Sequence, residues 1–293
     1  MKNHRSHVGR TRLILILLCI VLAAAMLWCA LSLVLKIGTY SSRTVGDDKP
    51  AEEVPVEPAD LEPTVAENSY DPAGFYEEGG FKRYKSADTI ASVGVDVSSH
   101  QQDIDWELVA ANGVEFAMIR VGYRGYTQGA LREDSSFRTF VRGARAAGID
   151  VGVYFFSQAV TVQEAIMEAD YVLGLLDGVP LDLPVYFDWE PVFADDSRTA
   201  SFDASRLTNI AAAFCRVVEQ GGCSAGIYLN RQQGYYQYDL SRLADWSLWV
   251  ADYNDYPDFY YAFDMWQYSD SAALDGVPTQ AVLNFLFVPS PRG

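Results

Sequence analysis

The stretch Leu183-Pro184-Val185-Tyr186-Phe187-Asp188-Trp189-Glu190 is the most informative part of the chain. An apolar run that follows a proline and ends in two acids is typical of a buried β-strand that stops at a surface. Side chains two positions apart lie on the same face of a strand, with their Cα atoms about 6.5 to 7 Å apart. We therefore predict that Asp188 and Glu190 point together into one site.

Seven further stretches have the same strand character, and helical patterns separate the earlier ones. The eight strand candidates are Val93–Val97, Phe116–Tyr123, Val151–Ser157, Leu183–Glu190, Ser224–Asn230, Ser247–Tyr253, Asp264–Ser269 and Ala281–Phe287. The helical patterns are Trp106–Ala111, Ser135–Ala147, Val162–Leu176 and Ala204–Gln220. Such alternation predicts an α/β fold with a mostly parallel sheet. Because the later connections are short, we expect an irregular (β/α)8 TIM-like barrel over residues 92–288 with reduced helices in its second half.

The composition of the 293-residue chain excludes several classes of function. Lys and Arg total 22 against 39 Asp and Glu, so the net charge of −17 would repel a phosphate backbone. We therefore expect no nucleic-acid partner. With three His, four Cys and no recognisable metal-binding spacing, we expect neither a metal site nor a cofactor.

A third acid supports the site at the strand ends. Asp96 ends the first strand candidate, and a barrel gathers such positions at one face. Carboxyl groups held close in a partly buried site cannot all ionise cheaply, so one stays a proton donor while another becomes an anion. That division suits cleavage of a glycosidic bond. We predict Glu190, Asp188 and Asp96 as catalytic residues; the competing interpretation is that each acid caps a helix or turn, or meets an arginine.

Aromatic side chains near the same strand ends suggest a sugar-binding groove, because flat rings with polar edges can stack on sugars and hydrogen-bond their hydroxyls. In a barrel, about half of such residues would instead fill the interior. The predicted substrate-binding residues are Tyr123, Tyr154, Tyr228, Trp249, Trp266 and Gln267.

An uncharged apolar run from Leu13 to Leu35 precedes the domain. It can cross a hydrocarbon core of about 30 Å. The alternative, a cleaved signal peptide, has an apolar region of only about 7 to 15 residues. Basic residues precede the run, which orients the N-terminus towards the cytoplasm; they are Lys2, Arg5, Arg10 and Arg12.

The chain therefore divides into five predicted segments: a cytoplasmic tail (1–12), a transmembrane helix (13–35), an acidic, proline-containing disordered linker (36–91), the barrel domain (92–288) and a tail (289–293). A flexible linker of this length would reach on the order of 40 Å. We expect a single-pass membrane protein whose N-terminal helix holds the barrel domain outside the cell.

The ordered motifs resemble those of the glycoside hydrolase family 25 muramidases, the Chalaropsis-type lysozymes. The resemblance implies hydrolysis of the β-1,4 bond between N-acetylmuramic acid and N-acetylglucosamine in peptidoglycan. It makes Glu190 the general acid, with Asp188 and Asp96 shaping the anionic site around the N-acetyl group and the developing oxocarbenium charge. The matching stretches are Gly94–Gln101, Asp105-Trp106, Phe116–Tyr123, Val151–Phe156, Leu183–Glu190, Ala225–Tyr228, Trp249–Ala251 and Asp264–Tyr268.

One position departs from the family pattern. The family usually closes with Val-Asp-Leu-Asn, whereas this chain reads Ala281-Val282-Leu283-Asn284, so Val282 stands where an active-site acid is expected. Two alternatives follow: a muramidase with reduced activity, or a non-catalytic or weakly active module that binds peptidoglycan. The expected partner is the peptidoglycan glycan strand in both, and we expect a monomer.

The sequence leaves two further points open. Direct displacement, inversion and assistance by the substrate's acetamido group are all compatible with the acids, although the resemblance favours the last. Cys215 and Cys223 could form a disulfide outside the cell, or Cys215 could be buried with Cys223 unpaired.

Overall fold

The computed structural model describes residues 65–79, 81–200 and 202–290. The predicted cytoplasmic tail (1–12) and transmembrane helix (13–35) lie outside these residues, as does the predicted linker up to residue 64. Within the described part, no helix combines the length and the apolar character needed to cross a bilayer.

The described residues form eleven strands, which we number β1 to β11 in chain order. Their bounds are Phe75–Glu78, Phe81–Tyr84, Thr89–Val97, Phe116–Arg124, Leu131–Glu133, Asp150–Ser157, Val185–Trp189, Ala225–Asn230, Ser247–Ala251, Met265–Ala272 and Ala281–Pro289. All eight predicted strands are among them. The additions are the hairpin β1–β2 and the short strand β5, which pairs with the edge of β4.

Eight of these strands close into a barrel in the order β3, β4, β6, β7, β8, β9, β10 and β11, with β11 pairing back onto β3. Neighbours from β3 to β10 are parallel, whereas β11 is antiparallel to both β10 and β3. The eight-stranded barrel is thus confirmed, but its last unit is a hairpin and not a βα repeat. A parallel connection needs about a dozen residues or more, and residues 273–280 are too few.

In the part of the chain that the structure describes, five α-helices surround the barrel. We number them α1 to α5: Trp106–Ala111, Phe137–Ala146, Val162–Leu176, Leu207–Gln220 and Arg231–Tyr236. Helix α3 has the predicted bounds because the Thr161 hydroxyl accepts a hydrogen bond from the Glu164 N–H and fixes its start. Beyond α5 the described residues hold no further α-helix, as the short late connections predicted.

Large side chains fill the barrel because glycines on neighbouring strands leave them room. A Cβ on Gly94 would lie 2.3 Å from the Phe116 ring, and one on Gly226 would lie 2.4 Å from the Tyr186 ring. The interior is therefore packed below the site and forms a floor for it. The buried side chains of this inner cluster are Phe116, Met118, Tyr154, Tyr186, Tyr228, Trp249, Ala251 and Met265.

Residues 65–79 and 81–91 correct the predicted linker, because they belong to the folded domain. Tyr70 stacks on Phe287 at 3.7 Å between ring centroids and donates its hydroxyl to the Phe263 carbonyl. Phe75 packs edge-on against Trp266. These buried contacts explain why a segment with little apolar periodicity is ordered: its few aromatic side chains cover the outer face of the late strands. At the other end β11 extends to Pro289, one residue into the predicted tail.

The two cysteines of the domain are free thiols. Cys215 is buried on α4, where its Sγ faces the Gly226 carbonyl at 3.7 Å, and Cys223 is half-buried. The structure therefore has the unpaired arrangement and not the disulfide.

Candidate active site

Three acids meet in one cavity of about 300 Å³ at the C-terminal ends of the parallel strands. Asp96 comes from β3, Asp188 from β7, and Glu190 follows β7 directly. The structure thus brings together the three residues predicted as catalytic. None of the three forms a salt bridge with another described residue, so the alternative of acids that merely pair with arginine does not apply.

Asp96 is held by two side-chain amides. Gln267 Nε2 and Asn284 Nδ2 each donate to Asp96 Oδ2 at 2.9 Å. Burial raises the pKa of Asp96 to about 6, while the two amide hydrogen bonds lower it and limit the rise.

Aromatic donors fix the direction of both amides. The Trp249 indole N–H, which can only donate, bonds Asn284 Oδ1 at 2.9 Å, so Nδ2 of that amide must face Asp96. The hydroxyls of Tyr228 and Tyr253 donate to Gln267 Oε1 at 3.1 and 2.7 Å and orient the second amide in the same way. The network therefore presents only donors to Asp96, which favours its carboxylate form.

Asp188 is buried with an unused acceptor. Its Oδ1 is buried and has no hydrogen-bond partner among the described residues, and Asp188 is one of the residues that line the cavity. Burial raises the pKa of Asp188 well above its usual range, the nearby Glu190 and Asp96 raise it further, and Arg120 opposes them. Because a buried acceptor without a partner is costly, the Asp188 carboxyl group is suited to receive a donor from a ligand.

Glu190 lies just beyond the last ladder pair of β7, where side-chain amides hold the backbone. Gln158 Nε2 donates to the Glu190 carbonyl at 2.6 Å, and Gln233 Nε2 donates to the Trp189 carbonyl at 2.7 Å. Burial and the charge of Asp96 raise the pKa of Glu190. A carboxyl group that keeps its proton at higher pH than usual is suited to act as a general acid.

Four of the six predicted substrate-binding residues line this cavity: Tyr154, Tyr228, Trp249 and Gln267. Tyr123 instead lines a neighbouring cavity of about 460 Å³, which shares His100, Arg120 and Phe156 with the first.

Trp266 is not in the site, and that prediction is wrong. Met265 and Gln267 face the barrel interior, so the strand alternation turns Trp266 outwards. It is 0% exposed there, and its indole N–H donates to the Asp252 carbonyl.

The cavities form a groove across the mouth of the barrel. A further cavity of about 350 Å³ lies on the other side of Glu190 and shares Glu190, Tyr228 and Tyr253 with the first. The three acids therefore lie between two flanking spaces. An extended polymer could cross the site with a bond held at its centre.

Two residues that shape this groove were not predicted from the sequence. Arg120 lines two of the cavities and is paired with Asp134 at 2.8 Å. Strand alternation from Phe116 and Met118 would have placed Arg120 on the inner face. Asn284, by contrast, reveals its part only through the contacts that the barrel closure creates.

Val282 lies where the departure from the family pattern predicts. It pairs with Asp96 across β11 and β3, and it lines the central cavity. An acid at this position would therefore stand beside Asp96. The chain has an apolar side chain in a polar part of the site.

The chain is also similar to known proteins. The model of the glycosyl hydrolases family 25 matches residues 95–277. The autolytic lysozyme of Clostridium acetobutylicum is 26% identical over 193 residues, which are 65% of this chain and 54% of that protein. The chain therefore spans about half the length of this relative.

Two solved structures show the same fold. The spore cortex lytic enzyme SleM of Clostridium perfringens is 25% identical with a TM-score of 0.58, covering 67% of each chain. The modular autolysin LytC of Streptococcus pneumoniae is 22% identical with a TM-score of 0.59, covering 72% of this chain and 52% of that one. The family match, which spans more than half of the chain, confirms the predicted glycoside hydrolase class: the chain belongs to glycosyl hydrolase family 25.

Proposed function

We propose that this protein hydrolyses peptidoglycan at the β-1,4 bond between N-acetylmuramic acid and N-acetylglucosamine. The observation that carries the proposal is the cavity where Asp96, Asp188 and Glu190 meet, with Asp188 Oδ1 buried and unpartnered. LytC has been solved in complex with a synthetic peptidoglycan ligand. We extend that ligand class to this chain as part of the proposal.

Glu190 is placed to be the general acid. It borders both the central cavity and the flanking cavity lined by Asn230 and Arg231, so its carboxyl group can face an oxygen that joins two sugars. In the proposed first step the Glu190 proton moves to that oxygen as the C1–O bond breaks. The leaving sugar departs through the flanking cavity.

Asp188 and Asp96 stabilise the sugar that remains. The Asp188 carboxylate accepts the N–H of the acetamido group, whose carbonyl oxygen attacks C1 as the bond breaks. Asp96 lies nearby as an anion that accepts hydrogen bonds from Gln267 and Asn284. Its negative charge stabilises the positive charge that develops on the sugar ring. A water deprotonated by Glu190 then opens the cyclic intermediate and regenerates the acid.

A zymogram on purified peptidoglycan tests this activity. We expect clearing by the wild type, loss of clearing in Glu190→Gln, and no change in Glu219→Gln, whose exposed side chain on α4 lies outside the groove. Clearing by Glu190→Gln as strong as that by the wild type would contradict the assignment of the acid.

The second candidate function is a module that binds peptidoglycan without cutting it, and Val282 is the observation that favours it. A sedimentation assay with insoluble peptidoglycan separates the two. Co-sedimentation of a wild type that clears no zymogram supports the binding module. Release of reducing ends by the wild type but not by Glu190→Gln supports the hydrolase.

We further propose that the predicted helix 13–35 anchors the protein, with the barrel outside the membrane. The support is the sequence: an apolar run preceded by basic residues. Membrane fractionation, followed by protease treatment of intact cells, tests this. Cleavage of the barrel from outside supports the orientation, and protection contradicts it.

A further inference from the structure

An irregularity in β10 changes the direction of one acidic side chain, that of Asp270. Gln267 pairs with Asn284 on β11, but the next pair is Ser269 with Leu283, so β10 advances two residues while β11 advances one. Such a bulge shifts the alternation of inward and outward side chains. As a result, Ser269 points outwards like its partner Leu283, and Asp270 points inwards.

The next register step places Asp270 opposite Val282. After Ser269 and Leu283, the following pair is Ala272 with Ala281, so Asp270 and Ser271 together oppose the single residue Val282. Both Asp270 and Val282 line the central cavity. In a regular strand Asp270 would point outwards with Tyr268.

Val282 is therefore flanked by a carboxylate on each neighbouring strand. Asp96 pairs with it across β3, and Asp270 faces it from β10. The cavity thus keeps two acids around the position where β11 has none. Asp275, the other acid near this strand in sequence, is exposed and lines none of the three cavities of the groove.

Asp270 has no partner within the described residues, since it makes neither a hydrogen bond nor a salt bridge with any of them. Its charge does act on the site: burial raises the pKa of Tyr253, and the Asp270 carboxylate raises it further. The Tyr253 hydroxyl donates to Gln267, which in turn donates to Asp96. Asp270 is thus electrostatically coupled to the network that holds Asp96, while its own oxygens stay free for a ligand.

We propose that Asp270 is a substrate-contacting carboxylate, which supplies from the bulge of β10 the negative charge that β11 lacks at Val282. It accepts a hydrogen bond from a hydroxyl or amide N–H of the sugar in the central cavity. The inference rests on the proposed function of this groove and adds a residue to it.

The test measures the full chain and three variants: Asp270→Asn, the charge-matched control Asp275→Asn, and Asp270→Asn combined with Val282→Asp. The substrate is a purified tetrasaccharide of alternating N-acetylglucosamine and N-acetylmuramic acid. Two quantities are measured, kcat/KM for hydrolysis and, in a Glu190→Gln background, the Kd of the same tetrasaccharide. Circular dichroism establishes that each variant is folded.

We expect Asp270→Asn to weaken both quantities about tenfold, the change that follows from losing one hydrogen bond to a charged group. Asp275→Asn should match the wild type, and Val282→Asp should restore most of the loss in the double variant. Equal values for Asp270→Asn and Asp275→Asn overturn the proposal. A loss that Val282→Asp fails to restore overturns it as well.

The two measurements separate this inference from the proposed function. If the wild type binds the tetrasaccharide but does not cut it, the proposed hydrolase activity is contradicted. A Kd that is tenfold weaker in Asp270→Asn then still supports the role of Asp270. A wild type that neither cuts nor binds overturns both.

Discussion

Gln158 donates its side-chain amide to the backbone carbonyl of Glu190 at 2.6 Å, just beyond the last ladder pair of β7. Its Oε1 accepts the Thr199 hydroxyl at 3.0 Å, which fixes the direction of the amide. The carboxyl group proposed as the acid is thus positioned by a buried glutamine from the neighbouring strand connection.

We predict that Gln158→Met lowers kcat about tenfold with little change in KM, because a small displacement of a catalytic group slows chemistry more than binding. The unpaired Glu190 carbonyl should also lower the free energy of unfolding by about 1 to 3 kcal/mol. Steady-state kinetics on soluble glycan and urea unfolding check these values. Gln220→Met, at an exposed position at the end of α4, is the control. An unchanged kcat in Gln158→Met would remove the positioning role.

The raised pKa of Asp96 predicts how stability depends on pH. Burial raises this pKa from 3.8 to about 6, so the folded state holds its proton more tightly than the unfolded chain. The stability that this group contributes is therefore present at low pH and is lost as pH rises through about 6. Asp96→Asn lacks this titration. Its free energy of unfolding relative to the wild type should rise by up to about 3 kcal/mol between pH 4 and pH 7.

Urea unfolding of the wild type and Asp96→Asn at both pH values measures that difference. Gln220→Met, which changes no titratable group, is the control and should show no such trend. A pH-independent difference for Asp96→Asn would show that Asp96 does not titrate in this range.

The pKa of Glu190 should respond to Asp96. Because the Asp96 charge helps to raise the pKa of Glu190, Asp96→Asn should lower it, so that Glu190 loses its proton at lower pH. Carboxyl-carbon NMR titration of both proteins measures this shift directly, without requiring activity. A Glu190 pKa that stays constant or rises in Asp96→Asn would contradict the proposed coupling.

The segment that precedes the barrel, residues 65–79 and 81–88, which we call the N-terminal lead-in, should contribute to the stability of the barrel. We predict that Tyr70→Ala lowers the free energy of unfolding by about 2 kcal/mol, since it removes a half-buried ring stacked on Phe287 and a hydrogen bond to the Phe263 carbonyl. Tyr76→Ala, on the same segment but 47% exposed, should change it by less than about 0.5 kcal/mol. Thermal or urea unfolding of both variants checks the contrast, and similar values would mean that the lead-in does not stabilise the barrel.

The eight strands and the helix α3 could be predicted because their signals are local: apolar runs, a capping threonine and two acids spaced by one residue. The wrong prediction for Trp266 could also have been avoided from local sequence, since strand alternation from Met265 and Gln267 points its ring outwards. The network around Asp96 could not be read in this way. Asn284 and Asp96 are 188 positions apart, and only closure of the barrel by an antiparallel strand brings them together.

Asp270 shows a second limit of sequence analysis. A bulge leaves no clear signature in Tyr268-Ser269-Asp270-Ser271, and without the phase change that the bulge causes, the acid would be assigned to the outer face.

The pairing of β3 with β11 has a mechanical consequence for a tethered protein. Thr89, where the chain enters the barrel, pairs with Pro289, and the ladder continues from there to Asp96 and Val282 at the mouth. If the N-terminus is anchored while the groove holds the cell wall, tension first meets the contacts of Tyr70 with Phe263 and Phe287, and it runs along β3 once these contacts give way. The hydrogen bonds of this ladder lie across that direction, so they share the load in shear and do not peel one by one. Under the proposed anchoring, β3, the strand that presents Asp96, would thus carry the tension between the membrane and the groove.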